Sequence, residues 1–230
     1  MKFQKVVGFG CSMVYGDELN PLTREQQCFI GRIGQHYNIP YENFGQCGAS
    51  LQSTIWSYLW WLENEKMDTD QVLVIVGLTD GGRFSFYDPE YNVQPGEPEC
   101  NKYIHSTWVA SGDKTYSAEW IDIVKRVSTL TWCPELRALT HKMAVEFFDG
   151  QAIKRKNLLV QFASFPPLWP INLTRQMQAS SLLWGDRGMT GILGEQNNHE
   201  QYFAKNGHPN EYGHELVANL LIKHIDSCIM

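Results

Sequence analysis

Short apolar runs alternate along the chain with longer segments in which apolar residues recur at every third or fourth position. The clearest run, Val72-Leu73-Val74-Ile75-Val76, contains no polar residue. A strand covered on both faces of a parallel sheet has this pattern. Three further segments are also predicted to be strands. The predicted strands are 6–9, 41–44, 71–77 and 158–162.

Helical spacing is clearest between residues 51 and 62, where four leucine or isoleucine residues step by four, four and three positions. Ser50 precedes them and is a suitable N-cap, because a serine hydroxyl can accept from a free N–H of the first turn. Pro134 suits the first turn of another helix. The predicted helices are 24–37, 51–62, 118–131, 134–148 and 210–226.

The alternation of strands and helices favours an α/β fold. We expect a three-layer α/β/α sandwich around a mainly parallel sheet of four or five strands. The 230 residues suit a single domain spanning 1–230, with a long insertion at 81–116 and a loop-rich segment at 164–207. Sites in such sheets gather at the carboxyl ends of the strands. The loops 10–17, 45–50 and 77–83 are therefore expected to be neighbours.

Charge and composition exclude several classes of partner. The chain has 19 Lys and Arg against 25 Asp and Glu, a net charge of −6, and no basic run. We therefore expect no nucleic-acid partner and no membrane association. The N-terminus is predicted to be a strand rather than a signal peptide. The six cysteines form no C-x-x-C pair, so we expect free thiols, no metal, no cofactor and a cytoplasmic location. A homo-oligomer is compatible with the sequence.

The first strand runs into a glycine-containing turn that does not fit nucleotide binding. After Gly8-Phe9-Gly10, a dinucleotide-binding fingerprint needs a glycine where Met13 stands. Gly16 is followed by two acidic residues rather than by the Lys-Ser/Thr of a phosphate-binding loop. What remains is Ser12, a hydroxyl at a strand–turn–helix junction where a base and backbone N–H groups can reach it.

Three further features follow in chain order. Gly48 lies in the loop after the second predicted strand, where a glycine lets its N–H approach a ligand closely. Thr79-Asp80 follows the third strand and offers a hydroxyl donor. His208 stands directly before a proline at the start of the last helix.

Together these short motifs resemble the SGNH, or GDSL-like, hydrolase family over residues 6–226. Gly10-Cys11-Ser12 with Gly16 matches the first block, with Cys11 in place of the family's aspartate. Gly48, preceded by Asn43, matches the second. Gly77-Leu78-Thr79-Asp80 matches the third, with a threonine in place of asparagine, and His208-Pro209-Asn210 matches the last. The Gly-x-Thr-Asp and His-Pro-Asn forms are similar to those of hydrolase-like proteins encoded by bacteriophages, which would place this chain in the host cytoplasm.

The resemblance implies the flavodoxin-like fold of SGNH hydrolases and a set of catalytic roles. Ser12 would be the nucleophile and His208 its general base. The N–H groups of Ser12 and Gly48 and the hydroxyl of Thr79 would form the oxyanion hole. Asn206 stands where the family has an acid and would orient His208, so restoring the carboxylate with Asn206→Asp is expected to raise turnover. An acid from another loop remains an alternative. The candidates are Asp80, Asp186 and Glu200.

The implied activity is hydrolysis of an ester by a serine esterase. The partner would be a small-molecule or glycan ester, with an acetyl or other acyl group on a carbohydrate. Asp80 and Arg83 follow the third strand and are the predicted substrate-binding residues. The alternative is a catalytically degenerate protein of the same fold that binds a glycan or a protein partner.

Overall fold

A five-stranded parallel sheet forms the centre of the computed structural model, which describes residues 3–65, 71–87, 103–106, 117–131, 133–165, 182–185 and 187–229. The strand order is β2-β1-β3-β6-β7, and every neighbouring pair is parallel. These strands are β1 (Lys5–Gly10), β2 (Tyr41–Gly45), β3 (Val72–Leu78), β6 (Leu158–Ala163) and β7 (Leu182–Leu183). The predicted mainly parallel sheet is confirmed.

Helices cover both faces of this sheet, as the uninterrupted apolar character of β3 predicts. Successive strand residues point to opposite faces, so Leu73 and Ile75 belong to one buried cluster and Val74 and Val76 to the other. The first cluster includes residues of α1, α3, α7 and α8, and the second includes residues of α4 and α6. The described helices are α1 (Ser12–Tyr15), α2 (Arg24–Gln27), α3 (Phe29–Tyr37), α4 (Leu51–Asn64), α5 (Ala118–Thr131), α6 (Pro134–Arg155), α7 (Gly188–Gly194) and α8 (Glu211–Ile229).

The capping of α4 follows its sequence prediction. Ser50 is the N-cap residue, and its side chain accepts from the backbone N–H of Ser53 at 3.2 Å. The Ser53 hydroxyl accepts from the Ser50 N–H at 3.0 Å, which completes a reciprocal capping box. The N-terminus of α4 is therefore fixed directly after the loop that carries Gly48.

The prediction of one helix over 24–37 is wrong, because the helix is interrupted at Cys28. This residue is extended, with φ −64° and ψ 154°, and it separates α2 from α3. In an unbroken helix the N–H of Phe29 would donate to the carbonyl of Glu25. It donates instead to Nδ1 of the buried His214, at 3.3 Å. A contact with α8 thus replaces one helical hydrogen bond.

The two segments predicted as irregular contain short elements. Within 81–116, β4 (Ser85–Tyr87) and β5 (Tyr103–His105) form a separate antiparallel pair, while 88–102 and 107–116 lie outside the described residues. Within 164–207 the structure has β7, α7 and a 3₁₀ helix at His199–Tyr202. Strands of two or three residues are too short to show a period in the sequence. The single-domain organisation stays a prediction. Among the described helices, none is long and apolar enough to cross a membrane.

Candidate active site

Close packing of two glycines places Ser12 at the carboxyl edge of the sheet. Gly10 ends β1 beside Gly77 of β3, and its φ is 153°. A Cβ at Gly10 would lie 2.5 Å from the Gly77 carbonyl oxygen, so only glycine fits. The buried Cys11 follows in extended conformation with its Sγ 3.6 Å from Ser164 Oγ. Ser12 then begins α1, where its N–H has no acceptor within the helix.

The chain turns back directly after α1. Gly16 ends this one-turn helix in the left-handed region, with φ 80°. Glu18 also has a positive φ, of 67°. Because of these two turns, the acidic pair Asp17-Glu18 returns toward the side of α1 on which Ser12 lies, and both carboxylates face His208.

A tight loop before α8 holds His208. The His208 carbonyl accepts from the Ala204 N–H at 2.8 Å, and the Asn210 N–H donates to the Tyr202 carbonyl at 3.0 Å. Held in this way, His208 Nε2 lies 2.9 Å from Ser12 Oγ. A base within hydrogen-bond distance of a hydroxyl is the arrangement that activates a serine nucleophile. The structure therefore brings together two residues that lie 196 positions apart.

Glu18 occupies the other side of the histidine ring. Its Oε2 lies 3.1 Å from His208 Nδ1. Its Oε1 accepts two hydrogen bonds from Asn206, from the side chain at 2.8 Å and from the backbone N–H at 3.2 Å. A carboxylate on Nδ1 fixes the tautomer in which Nε2 is free to accept a proton. Glu18 has the geometry of the acid in a Ser–His–acid triad.

The role predicted for Asn206 is corrected by these contacts. Its hydrogen bonds go to Glu18 rather than to the imidazole, so the side chain that it holds in place is that of Glu18. Glu18 is not predicted from the sequence, because the family's acid stands two or three residues before its histidine and Glu18 lies 190 positions before His208. The available signal was an acidic pair within six residues of the candidate nucleophile.

The other acids considered from sequence have different surroundings. Asp80 forms an ion pair with the nearly buried Arg137 of α6, and its Oδ1 accepts from the Gly82 N–H at 2.6 Å. This contact ties the end of β3 to α6. Glu200 is exposed on the 3₁₀ helix, and Asp186 lies outside the described residues. Among the described residues, the carboxylates within 4 Å of His208 are those of Glu18 and Asp17, and neither Asp80 nor Glu200 is one of them.

Arg83 contacts an aromatic ring. Its guanidinium lies 5.1 Å from the ring centroid of Phe165, which follows β6. This contact holds the loop after β3 against the loop after β6. The substrate-binding roles of Asp80 and Arg83 stay predictions.

The three predicted oxyanion donors follow three adjacent strands. Ser12 and Thr79 each stand two residues after the paired glycines Gly10 and Gly77, and Gly48 follows β2 on the other side of β1. Gly48 is buried and has a φ of 77°. Thr79 is 1% exposed, and its Oγ1 has no hydrogen-bond partner among the described residues. A buried hydroxyl without a partner is costly, which is expected where a site keeps a donor for a ligand.

A second carboxylate lies near the reacting atoms. Asp17 Oδ2 is 3.8 Å from His208 Nε2. Burial raises the pKa of the Cys47 thiol, and the Asp17 carboxylate beside it raises this pKa further. In the part of the chain that the structure describes, no three His, Cys, Asp or Glu side chains are grouped so that they could hold a metal ion.

No protein-family model matches the sequence, and no curated protein matches it. Several solved structures are similar at low identity. A two-domain esterase (CEX) active on acetylated mannans has 12% identity and a TM-score of 0.52 over 98% of this chain and 49% of its own. This chain thus spans about half of that esterase. LAE5, an alpha/beta hydrolase from the metagenome of Lake Arreo, Spain, has 13% identity and a TM-score of 0.49 over 96% and 94%. A member of the lipolytic protein G-D-S-L family from Veillonella parvula DSM 2008 has 12% identity and a TM-score of 0.41 over 95% and 96%.

At these identities the likeness is one of fold. The predicted class, a three-layer α/β/α sandwich with a mainly parallel sheet, is confirmed by the sheet and by its likeness in fold to the esterase active on acetylated mannans.

Proposed function

We propose that the protein is a serine ester hydrolase of the SGNH type, in which Ser12 is the nucleophile, His208 the general base and Glu18 the acid. One observation carries the proposal: a continuous chain of contacts from Ser12 Oγ to His208 at 2.9 Å and from His208 to Glu18 at 3.1 Å. These contacts let His208 remove the Ser12 hydroxyl proton while the negative charge of Glu18 stabilises the imidazolium that forms.

The reaction follows from these contacts in two balanced steps. Ser12 Oγ attacks the ester carbonyl carbon as its proton moves to His208 Nε2, while Nδ1–H donates to Glu18. The tetrahedral intermediate collapses, the C–O bond to the alcohol breaks, and the alcohol leaves with the proton from Nε2. Water then attacks the acyl-enzyme with the same base, which releases the carboxylic acid and restores Ser12.

The negative charge that forms on the carbonyl oxygen needs donors in fixed positions. We assign this role to the N–H groups of Ser12 and Gly48 and to the hydroxyl of Thr79. The isolation of Thr79 Oγ1 among the described residues supports the assignment, because the hydroxyl is held ready without an internal acceptor. Threonine has a shorter side chain than the asparagine of the family, so its donor is expected to reach less far toward the carbonyl oxygen.

We extend the proposal to acyl esters of carbohydrates. The support is the likeness in fold to the esterase active on acetylated mannans, together with the contact between Ser12 and His208. The bacteriophage source and the cytoplasmic location stay predictions from sequence. Expression in the host cytosol during infection is the observation that would test both.

Covalent labelling tests the proposal directly. A fluorophosphonate probe is expected to modify Ser12, detected by peptide mass spectrometry, and 4-nitrophenyl acetate is expected to be hydrolysed. Ser12→Ala should abolish both, while Ser227→Ala on the exposed face of α8 should change neither. A folded protein that is neither labelled nor active would favour the alternative, a non-catalytic glycan or protein binder.

A further inference from the structure

The two acidic residues at the site stand in different relations to His208. Glu18 lies on Nδ1, the nitrogen that faces away from the nucleophile, and its side chain is 18% exposed. Asp17 lies 3.8 Å from Nε2, the nitrogen that bonds Ser12, and its side chain is 37% exposed. Asp17 is therefore the carboxylate on the side of the ring that faces Ser12, and it is the more exposed of the two.

The described residues leave this negative charge without a direct counter-ion. Neither Asp17 nor Glu18 has a Lys or Arg within ion-pair distance among them. The polar neighbour of Asp17 is the neutral Cys47 thiol. Arg24 is close enough to act on Cys47, but its guanidinium donates to the Tyr15 hydroxyl and lies 4.2 Å from that ring's centroid. Among the described residues, the groups beside Ser12 and His208 therefore carry net negative charge.

From this placement, and on the basis of the function proposed above, we propose that Asp17 selects substrates by charge. The site would take acyl esters of neutral or cationic alcohols and exclude esters that carry a carboxylate, sulfate or phosphate beside the scissile bond. An anionic group there would lie beside the partly exposed Asp17 carboxylate, and like charges repel. A hydroxyl next to the ester, as on a neutral sugar, can instead donate to Asp17.

Three aryl acetates provide a matched test. Phenyl acetate is substituted at the meta position with a carboxylate, a carboxylic methyl ester or a trimethylammonium group, so that the acetyl group and the acyl-enzyme are the same in all three. We expect the wild type to hydrolyse the anionic ester at least about tenfold less efficiently than the neutral one, after correction for their hydroxide-catalysed rates. Added salt should narrow this difference, because Asp17 is partly exposed.

Replacing the carboxylate should change the ratio of kcat/KM values between esters. In Asp17→Asn the anionic-to-neutral ratio is expected to rise about fivefold or more, and the cationic-to-neutral ratio to fall. Asp17→Glu should keep the wild-type ratios. Glu146→Gln, which removes one negative charge from the exposed part of α6, should keep them as well.

The outcomes separate this proposal from the function on which it rests. Wild-type ratios in both Asp17→Asn and Asp17→Ser, with all three esters hydrolysed, would overturn charge selection and leave the esterase intact. A folded wild type that hydrolyses none of the esters and is not labelled at Ser12 would overturn both. Using two uncharged variants keeps the test valid if one of them folds poorly.

Discussion

Glu18 combines a left-handed backbone, a carboxylate fixed by two bonds from Asn206, and a contact with His208. Its charge stabilises the imidazolium only while Ser12 is being deprotonated or the alcohol protonated, so it acts on the transition state. We predict that Glu18→Gln lowers kcat/KM for 4-nitrophenyl acetate by about 10²–10⁴-fold and leaves the fold intact. Glu25→Gln, on the exposed part of α2, is the matched control and should keep full activity. An active Glu18→Gln protein would show that another group serves His208.

For Asn206→Asp the structure predicts a loss of turnover, whereas the sequence predicts a gain. The side-chain N–H of Asn206 donates to Glu18 Oε1 at 2.8 Å, so an aspartate there would place two carboxylates in contact. Like charges at this distance raise one pKa and weaken the negative charge that faces the histidine. Asn206→Asp is therefore expected to lower kcat/KM by roughly tenfold at neutral pH. Turnover is measured at pH 7.5, with Asn206→Ala for comparison. A gain in Asn206→Asp would favour the family's arrangement of acid and histidine and contradict the role given to Glu18.

Substitution of Thr79 can show whether its hydroxyl acts in catalysis or contributes to stability. Because its buried Oγ1 has no partner among the described residues, Thr79→Val removes a polar atom without breaking a recorded hydrogen bond. We expect the free energy of unfolding to stay equal or rise, while kcat falls by about 10²-fold, as for loss of one oxyanion donor. Thr79→Ser should retain most of the activity. Urea unfolding and ester turnover on the same samples test both effects, and full activity in Thr79→Val would exclude the donor role.

At the scale of elements, the antiparallel pair β4–β5 is anchored to the loop that carries Gly48. Ser85 Oγ lies 2.6 Å from Nδ1 of the fully buried His105 and donates to the N-cap hydroxyl Ser50 at 2.8 Å. We predict that Ser85→Ala costs about 1–3 kcal/mol of the free energy of unfolding, because it removes two hydrogen bonds to buried side chains. Thr129→Ala on the exposed part of α5 should cost much less. Denaturant titrations compare the two, and equal stabilities would mean that the anchor contributes nothing.

What the sequence predicts well is what depends on neighbours along the chain. The uninterrupted apolar run of β3 and the serine cap of α4 are local signals, and both elements form where expected. The break at Cys28 depends on His214, which lies 185 positions from Phe29 along the chain. Glu18 likewise becomes an acid for His208 only because α1 ends at Gly16 and Asn206 arrives from the loop before α8. Contacts of this kind have no period in the sequence and become visible only once the sheet has assembled.

At the scale of the whole molecule, two of the buried histidines, His214 and His141, make stability depend on pH. His214 is fully buried between α3 and α8, and burial lowers its pKa from 6.5 to about 3. His141 of α6 is 2% exposed, and burial lowers its pKa to about 4. Neither has a direct part in the reaction proposed above. His214 and His141 lie in the two helical layers on opposite faces of the sheet, so their protonation at low pH destabilises both layers.

The sign follows from where protons bind. Above pH 6.5 both histidines are neutral in the folded and in the unfolded chain, so their contribution to stability is complete. As the pH falls below 6.5, the unfolded chain binds protons that the folded one does not, and the free energy of unfolding decreases. Each histidine accounts for about 1.4 kcal/mol per pH unit, for His141 down to about pH 4 and for His214 down to about pH 3.

We therefore predict that the urea midpoint falls between pH 7 and pH 5, before most carboxylates are protonated. His214→Asn should lower stability at every pH, because a buried ring is lost, but should reduce the dependence on pH. Val217→Ala on the same buried side of α8 is the control, since it creates a cavity without removing a titrating group. It should lower the midpoint and leave the pH dependence unchanged. Equal pH dependence in His214→Asn and the wild type would contradict a folded-state pKa far below 6.5 for His214, and would assign the acid lability to the carboxylates.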